Sequence, residues 1–80
     1  MISENKKEFK ARKIIGSATV NAGPLNVRKE PSTDAEVVGV IQKGQRFNVT
    51  EGSNKEFTAI IYKDEVVYAM TQYLDVRTTK

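Results

Sequence analysis

The spacing of turn residues constrains this chain more than any other feature of its sequence. From residue 14 onward, turn-forming pairs or triplets recur about every 8 to 13 residues, and the segments between them are rich in Val, Ile and Thr. These three residue types supply 22 of the 80 residues, against two Leu, and their branched side chains favour strands over helices. The sequence therefore predicts an all-β fold of short antiparallel strands, in a sandwich or a small barrel.

Seven strands are predicted between these turns. They span residues 17–22, 25–30, 37–42, 46–51, 57–62, 65–69 and 74–77. In the second and fourth, apolar residues alternate with polar ones, which predicts one buried and one solvated face. The fifth and sixth are apolar on both faces, which is typical of central strands or of strands with one face at a ligand groove. The predicted core is Leu25, Val27, Val40, Phe47, Val49, Ile60 and Leu74.

The connections carry local signals of their own. Gly44 ends a tight turn and is predicted to hold a positive φ, whereas Gly39 lies within a strand, where glycine marks a bulge or a close backbone approach. Lys63 and Asp64 form a two-residue connection, for which we expect a bulged turn because Lys is a poor choice for positive φ. The segment 33–36 has the Thr-x-x-Glu spacing of a capping box and is predicted to form one helical turn.

Composition excludes most catalytic chemistry. The chain has no Cys and no His, which removes disulfides, thiolate nucleophiles, imidazole bases and every Cys/His metal site. The closest carboxylate pairs are Asp64 with Glu65 and Asp34 with Glu36, but a chain this short is too small to wall the deep cleft that paired carboxylates need. We therefore expect no enzyme activity, no catalytic residue, no metal and no cofactor.

Positive charge is concentrated at the N-terminus. Residues 1–13 hold five basic and two acidic side chains, and residues 14–80 hold eight of each sign, so the net charge of +3 belongs to the first segment. We expect residues 1–13 to be a flexible basic tail and residues 14–80 to be the folded domain. No specific nucleic-acid surface is expected on a neutral domain. Because neither a secretory signal nor a membrane span is visible, the expected location is the cytoplasm, or the cell envelope if the chain is a piece of a larger exported protein.

A family resemblance lies in the first half of the domain. The run LNVRKEPST at residues 25–33, the segment EVVGVIQKG at 36–44 and the strand RFNV at 46–49 resemble the signature of bacterial Src homology 3 (SH3) domains, as does Tyr73-Leu74 near the end. The likeness covers about residues 17–77. It implies an SH3-like, partly open barrel of five to seven short antiparallel strands.

The second half departs from the family pattern at three places. The family commonly has Trp at the position of Phe57, Gly at the position of Asp64, and Gly before an aromatic residue where this chain has Val67-Tyr68. The aromatic residue is kept, but the surface around it differs because its neighbour is no longer Gly.

Five residues are the candidates for a ligand-binding surface. They are Tyr62, Tyr68, Tyr73, Asn26 and Arg28. Tyrosine suits groove walls because it has an apolar ring and a polar tip, and in the family this region contributes to ligand contact. Each residue also has a plainer interpretation, which is half-buried packing for the tyrosines and turn hydrogen bonding or solvation for Asn26 and Arg28.

Three functions remain open. The resemblance implies a non-catalytic module that binds a cell-wall peptide or a peptidoglycan fragment. The alternatives are an intracellular or phage-encoded adaptor that uses the same barrel to bind another protein, and a weak polyanion binder that uses the basic tail. In each case we expect a monomer or a weak dimer with no membrane contact.

Overall fold

The computed structural model describes residues 13–78, which form seven strands and one short 3₁₀ segment. These elements are β1 (Ile14–Val20), β2 (Leu25–Arg28), β3 (Val37–Ile41), β4 (Arg46–Thr50), β5 (Phe57–Tyr62), β6 (Glu65–Met70), η1 (Thr71–Tyr73) and β7 (Leu74–Thr78). All strand pairs are antiparallel. The predicted all-β fold is therefore confirmed. Apart from Lys13, the predicted tail lies outside the described residues.

The strands form one sheet in the order β3-β2-β6-β5-β4-β1-β7. Its core is a single cluster to which every strand contributes: Ala18, Val20, Leu25, Val27, Ile41, Val49, Ile60, Val67, Ala69 and Leu74. Neighbouring strands lie about 4.8 Å apart, so a flat sheet of this width would hold its edge strands too far apart to share one cluster. The sheet must therefore curl around its core, as in a partly open barrel. We call the side facing this cluster the inner face and the other side the outer face.

Most of the predicted strand positions are confirmed within one or two residues. The largest difference is at β1, which begins at Ile14 rather than at residue 17 and ends at Val20 rather than at residue 22. Its early start follows from its two partners, since β1 pairs with β4 from Ile14 and with β7 from Gly16. The two strands that are apolar on both faces, β5 and β6, are central in the sheet, as predicted.

The predicted core is confirmed at five of its seven positions. Leu25, Val27, Val49, Ile60 and Leu74 are buried.

The other two core predictions have different outcomes. Phe47 is half-buried and packs against the core cluster. The prediction for Val40 is wrong, because this residue is 46% exposed. Val40 pairs with Asn26, an outer-face residue, and Ile41 takes the buried position opposite Leu25.

The phase of β3 is set by a bulge at Val38. Arg28 pairs with Val37 and Val27 pairs with Gly39, so Val38 is the extra residue. Gly39 also shows the close backbone approach that was expected of it. A Cβ added there would lie 2.7 Å from Cε2 and from the hydroxyl oxygen of Tyr62, so a larger residue would require the Tyr62 side chain to move.

Three connections were predicted in detail. Gly44 has a φ of +92°, which confirms the positive value expected of it. The two-residue connection predicted at Lys63 and Asp64 is confirmed, whereas the bulged turn expected there is wrong. Both residues have positive φ, at 51° and 66°, and Tyr62 pairs directly with Glu65, so the hairpin has a regular two-residue turn of the primed type.

The segment predicted as one helical turn over residues 33–36 forms one hydrogen-bonded turn, which begins one residue earlier than predicted and lacks the Thr33 cap. Ala35 donates its N–H to the carbonyl of Ser32, and Asp34 donates its N–H to the Ser32 hydroxyl. These bonds close one turn over residues 32–35, in which Ser32 rather than Thr33 supplies the side-chain acceptor. The competing acceptor is the serine side chain, which offers the backbone a local alternative to helix.

Candidate binding cleft

The outer face of β2 and β6 carries most of the predicted site residues. Arg28 on β2 lies directly across from Tyr68 on β6. Since side chains alternate along a strand, Asn26 shares the face of Arg28, and Met70 shares the face of Tyr68. The intervening residues of both strands point into the core.

Beside these residues lies an open cleft of about 390 Å³. It is lined by Ala22, Gly23, Pro24, Leu25, Asn26, Arg28, Met70 and Tyr73. Three of the five predicted site residues, Asn26, Arg28 and Tyr73, are therefore brought together in one cleft. Its walls combine a guanidinium group, a carboxamide, a phenol and a thioether with the apolar surface of Pro24.

Tyr73 reaches the cleft because η1 is fixed at both ends. At its start, the Thr71 N–H donates to the carbonyl of Glu56 at 2.8 Å, and the Thr71 and Thr58 hydroxyls are 2.7 Å apart. At its end, the Asn21 N–H donates to the Tyr73 carbonyl at 2.9 Å. The Tyr73 side chain remains 37% exposed, so its backbone is anchored while its ring stays accessible at the rim.

The opposite wall comes from the segment that joins β1 to β2. Gly23 packs tightly against the turn before β4, where an added Cβ would lie 2.6 Å from the backbone nitrogen of Lys43. The Gly23-Pro24 peptide bond is cis. The packing of Gly23 against the Lys43 backbone holds Pro24 beside Asn26 and fixes the position of this wall.

Arg28 has a structural contact as well as a place in the cleft. One of its guanidinium nitrogens donates to the carbonyl of Ala35 at 2.9 Å, and the side chain is half-buried. The loop between β2 and β3 is further tied by the Lys29 N–H, which donates to the Glu36 carbonyl at 2.9 Å. A guanidinium has five N–H groups, so this contact orients Arg28 and leaves it donors for a ligand.

Tyr68 lies on the outer face next to the cleft rather than in its lining. It is half-buried and lies across from Ala59 on β5 as well as Arg28 on β2. The loop after β4 folds over this part of β5, since the Ala59 N–H donates to the Ser53 hydroxyl at 2.9 Å. At Gly52 of that loop, an added Cβ would lie 3.6 Å from the Tyr68 hydroxyl oxygen. Tyr68 therefore lies between the loop and Arg28.

Tyr62 is the one predicted site residue that the structure places elsewhere. Its ring packs edge-on against Phe47, with centroids 6.1 Å apart, and it covers Gly39. The Lys63 ammonium lies 5.4 Å from the ring centroid. Tyr62 is in phase with the buried Ile60, so it closes one end of the core instead of lining the cleft.

Sequence reasoning missed several residues of the cleft. Gly23, Pro24 and Met70 line it, but the sequence predicts all three only as parts of connections between strands. Met70 had a usable signal, because it is two residues after Tyr68 and so shares its face.

The comparison with known protein families settles what kind of domain this is. The family model for the bacterial SH3 domain matches residues 23–75. The chain belongs to the bacterial SH3 domain family. The resemblance noted in the sequence is thereby confirmed, and the matched residues include Asn26, Arg28 and Tyr73. Bacterial SH3 domains are typically binding modules.

One curated relative also matches. The chain is 30% identical over 66 residues to the uncharacterized protein YfhK of Bacillus subtilis (strain 168), and the match covers 76% of this chain. It covers 38% of YfhK. The chain therefore spans well under half the length of this relative.

Two kinds of feature are absent from residues 13–78. No group of three or more acidic, His or Cys side chains in this range is placed to hold a metal ion. No helix within it is long and apolar enough to cross a membrane.

Proposed function

We propose that this bacterial SH3 domain is a non-catalytic binding module whose cleft holds a peptide or a peptidoglycan fragment. The observation that carries the proposal is the convergence of Asn26, Arg28 and Tyr73 on one cleft. The volume of about 390 Å³ lies within the roughly 300–1,000 Å³ typical of sites for small ligands.

The chemistry of the cleft suits a short peptide that bears a carboxylate. A carboxamide such as Asn26 both donates and accepts, which matches the amide groups of a peptide backbone. Arg28 supplies a positive charge with a planar set of donors that fits a carboxylate. Tyr73 and Met70 offer apolar surface to the ligand's side chains. Peptides of the bacterial cell wall combine these features.

An adaptor that binds another protein is the second candidate. The observation that favours it is the apolar strand beside the cleft, where Val37 and Val40 are exposed and Val40 lies directly across from Asn26. An extended segment of a partner protein would contact both the cleft and this strand. Titration with a cell-wall stem peptide separates the two candidates.

The test measures the affinity for a purified cell-wall stem peptide by titration calorimetry. Asn26→Ala removes a ligand-facing amide, and the expected loss is about five- to tenfold, which corresponds to one hydrogen bond of about 1–1.4 kcal/mol. The matched control is Asn48→Ala, because Asn48 is also exposed in the middle of a strand but lies away from the cleft. Equal effects of the two variants, or no binding by the wild-type chain, would reject wall binding at this cleft.

A further inference from the structure

The two edges of the sheet differ in how they are protected. At one edge, β7 carries two exposed charges, Asp75 and Arg77. At the other edge, β3 has the sequence Val-Val-Gly-Val-Ile, with no charge in five residues. Charged side chains are a common means of keeping edge strands from pairing with other chains. β7 has this protection and β3 lacks it.

The unprotected edge also exposes apolar side chains. Val37, Val38 and Val40 are 41%, 40% and 46% exposed. β3 pairs on one side with β2, and it ends the sheet order of the described residues. The edge of β3 that faces away from β2 therefore presents backbone N–H and C=O groups next to exposed valines. The bulge at Val38 affects one end of the strand and leaves 39–41 regular.

Opposite charges flank this strand. Glu36 immediately precedes β3 and Lys43 follows it by two residues, and both are exposed. An antiparallel, two-fold pairing of two such strands brings Glu36 of each copy beside Lys43 of the other. With the two-fold axis at Val40, in the apolar part of the strand, Val40 faces Val40 of the other copy, and Glu36 lies one residue from the position opposite Lys43.

We propose that β3 pairs with β3 of a second copy of this chain, so that two sheets join edge to edge in an antiparallel dimer. The backbone groups of β3 supply the hydrogen bonds, the exposed valines are covered, and the two Glu36–Lys43 pairs set the direction. The balance of charge in residues 14–80, with eight basic and eight acidic side chains, keeps repulsion between the copies small. This proposal does not depend on the ligand of the cleft.

The first test is sedimentation equilibrium of the full chain without ligand, from micromolar to millimolar concentrations. We expect a reversible monomer–dimer equilibrium. Val40→Lys places two like charges next to the two-fold axis and should abolish the dimer. The fold should persist, since residue 40 is already exposed. The matched control is Thr78→Lys, which adds the same charge at an exposed position of the β7 edge and should dimerise as the wild-type chain does.

The second test exchanges the flanking charges. Glu36→Lys or Lys43→Glu alone puts like charges together at both ends of the interface, and we expect each to weaken the dimer by about two- to tenfold. The double variant restores opposite charges and should restore the dimer. Rescue of this kind is specific to an antiparallel pairing of β3 with itself.

Three results would overturn the proposal. The first is a full chain that stays monomeric throughout the concentration range. The second is a Val40→Lys variant that dimerises as well as the Thr78→Lys control. The third is a monomer whose β3 amides are all protected from hydrogen exchange, because another segment of the same chain would then occupy the edge.

Discussion

Arg28 and Tyr68 lie directly across from each other where β2 meets β6. This pair joins the β3-β2 hairpin to the other five strands of the sheet. Asn26 is two residues before Arg28 and Met70 is two residues after Tyr68, and both line the cleft. The cleft therefore depends on a junction between two parts of the sheet, and Arg28 serves both the junction and the site.

Replacing Arg28 should lower stability. Arg28→Ala removes the bond to the Ala35 carbonyl, and we expect the free energy of unfolding to fall by about 1–2 kcal/mol. Urea denaturation measures it. The control is Arg46→Ala at an exposed position of β4, where a change within about 0.5 kcal/mol is expected. Equal losses in the two variants would show that the Ala35 contact contributes no stability.

The phase of the strands can be tested with two valines. Val27 is fully buried and Val40 is 46% exposed. Val27→Asp buries an unpaired charge in a small core. Because the free energy of unfolding of a small domain is only about 5–15 kcal/mol, this variant should be unfolded. Val40→Asp should leave the circular dichroism spectrum of the folded chain unchanged. Unfolding of the second variant, or folding of the first, would contradict the assignment of faces.

The turn before β4 should be sensitive to backbone strain alone. At Gly44, φ is +92° and an added Cβ would meet no atom within 4 Å. Gly44→Val should therefore destabilise the fold by about 1–2 kcal/mol through its backbone conformation rather than through a clash. Thermal unfolding is the measurement. An unchanged melting temperature would mean that the turn adopts another conformation in solution.

Residues 1–12 should be dispensable for folding and should carry any affinity for polyanions. They hold Lys6, Lys7, Lys10 and Arg12. Removing them should leave the melting temperature unchanged and abolish retention on heparin at low salt, since such binding is electrostatic and weakens as salt rises.

The shortened chain should keep Lys13. The Lys13 carbonyl accepts a hydrogen bond from the buried Thr50 hydroxyl at 2.7 Å, and its loss would leave that hydroxyl without this partner. A chain that starts at Ile14 should therefore melt at a lower temperature than one that starts at Lys13. A lower melting temperature on removal of residues 1–12 alone would show that those residues stabilise the domain.

The strands were predictable because their side chains alternate with a period of two, as at Leu25 and Val27. The exposure of Val40 was not predictable from this alternation. Gly39 indicates a bulge or a close approach in this strand, but Val37, Val38 and Val40 are all valine, so the side-chain pattern does not show that Val38 is the extra residue that reverses the phase. A one-residue shift moves every following side chain to the other face.

The site was predictable in part for the same reason. Asn26 and Arg28 share a strand face, and this could be inferred from their spacing. Tyr62 was grouped with Tyr68, but the two-residue hairpin pairs Tyr62 with Glu65. Tyr68 is three positions after Glu65 and so points to the opposite face. The wall at Pro24 depends on packing between distant segments, which a single sequence does not encode locally.

The most direct test of the binding proposal is a map of the amide signals of the full chain during titration with a cell-wall stem peptide. We expect the signals of residues 22–28 and 70–73 to move first and to saturate together, and those around Tyr62 and Phe47 to stay in place. Shifts confined to the Tyr62 end of the barrel, or no shifts at any concentration of peptide, would show that the cleft does not bind this peptide.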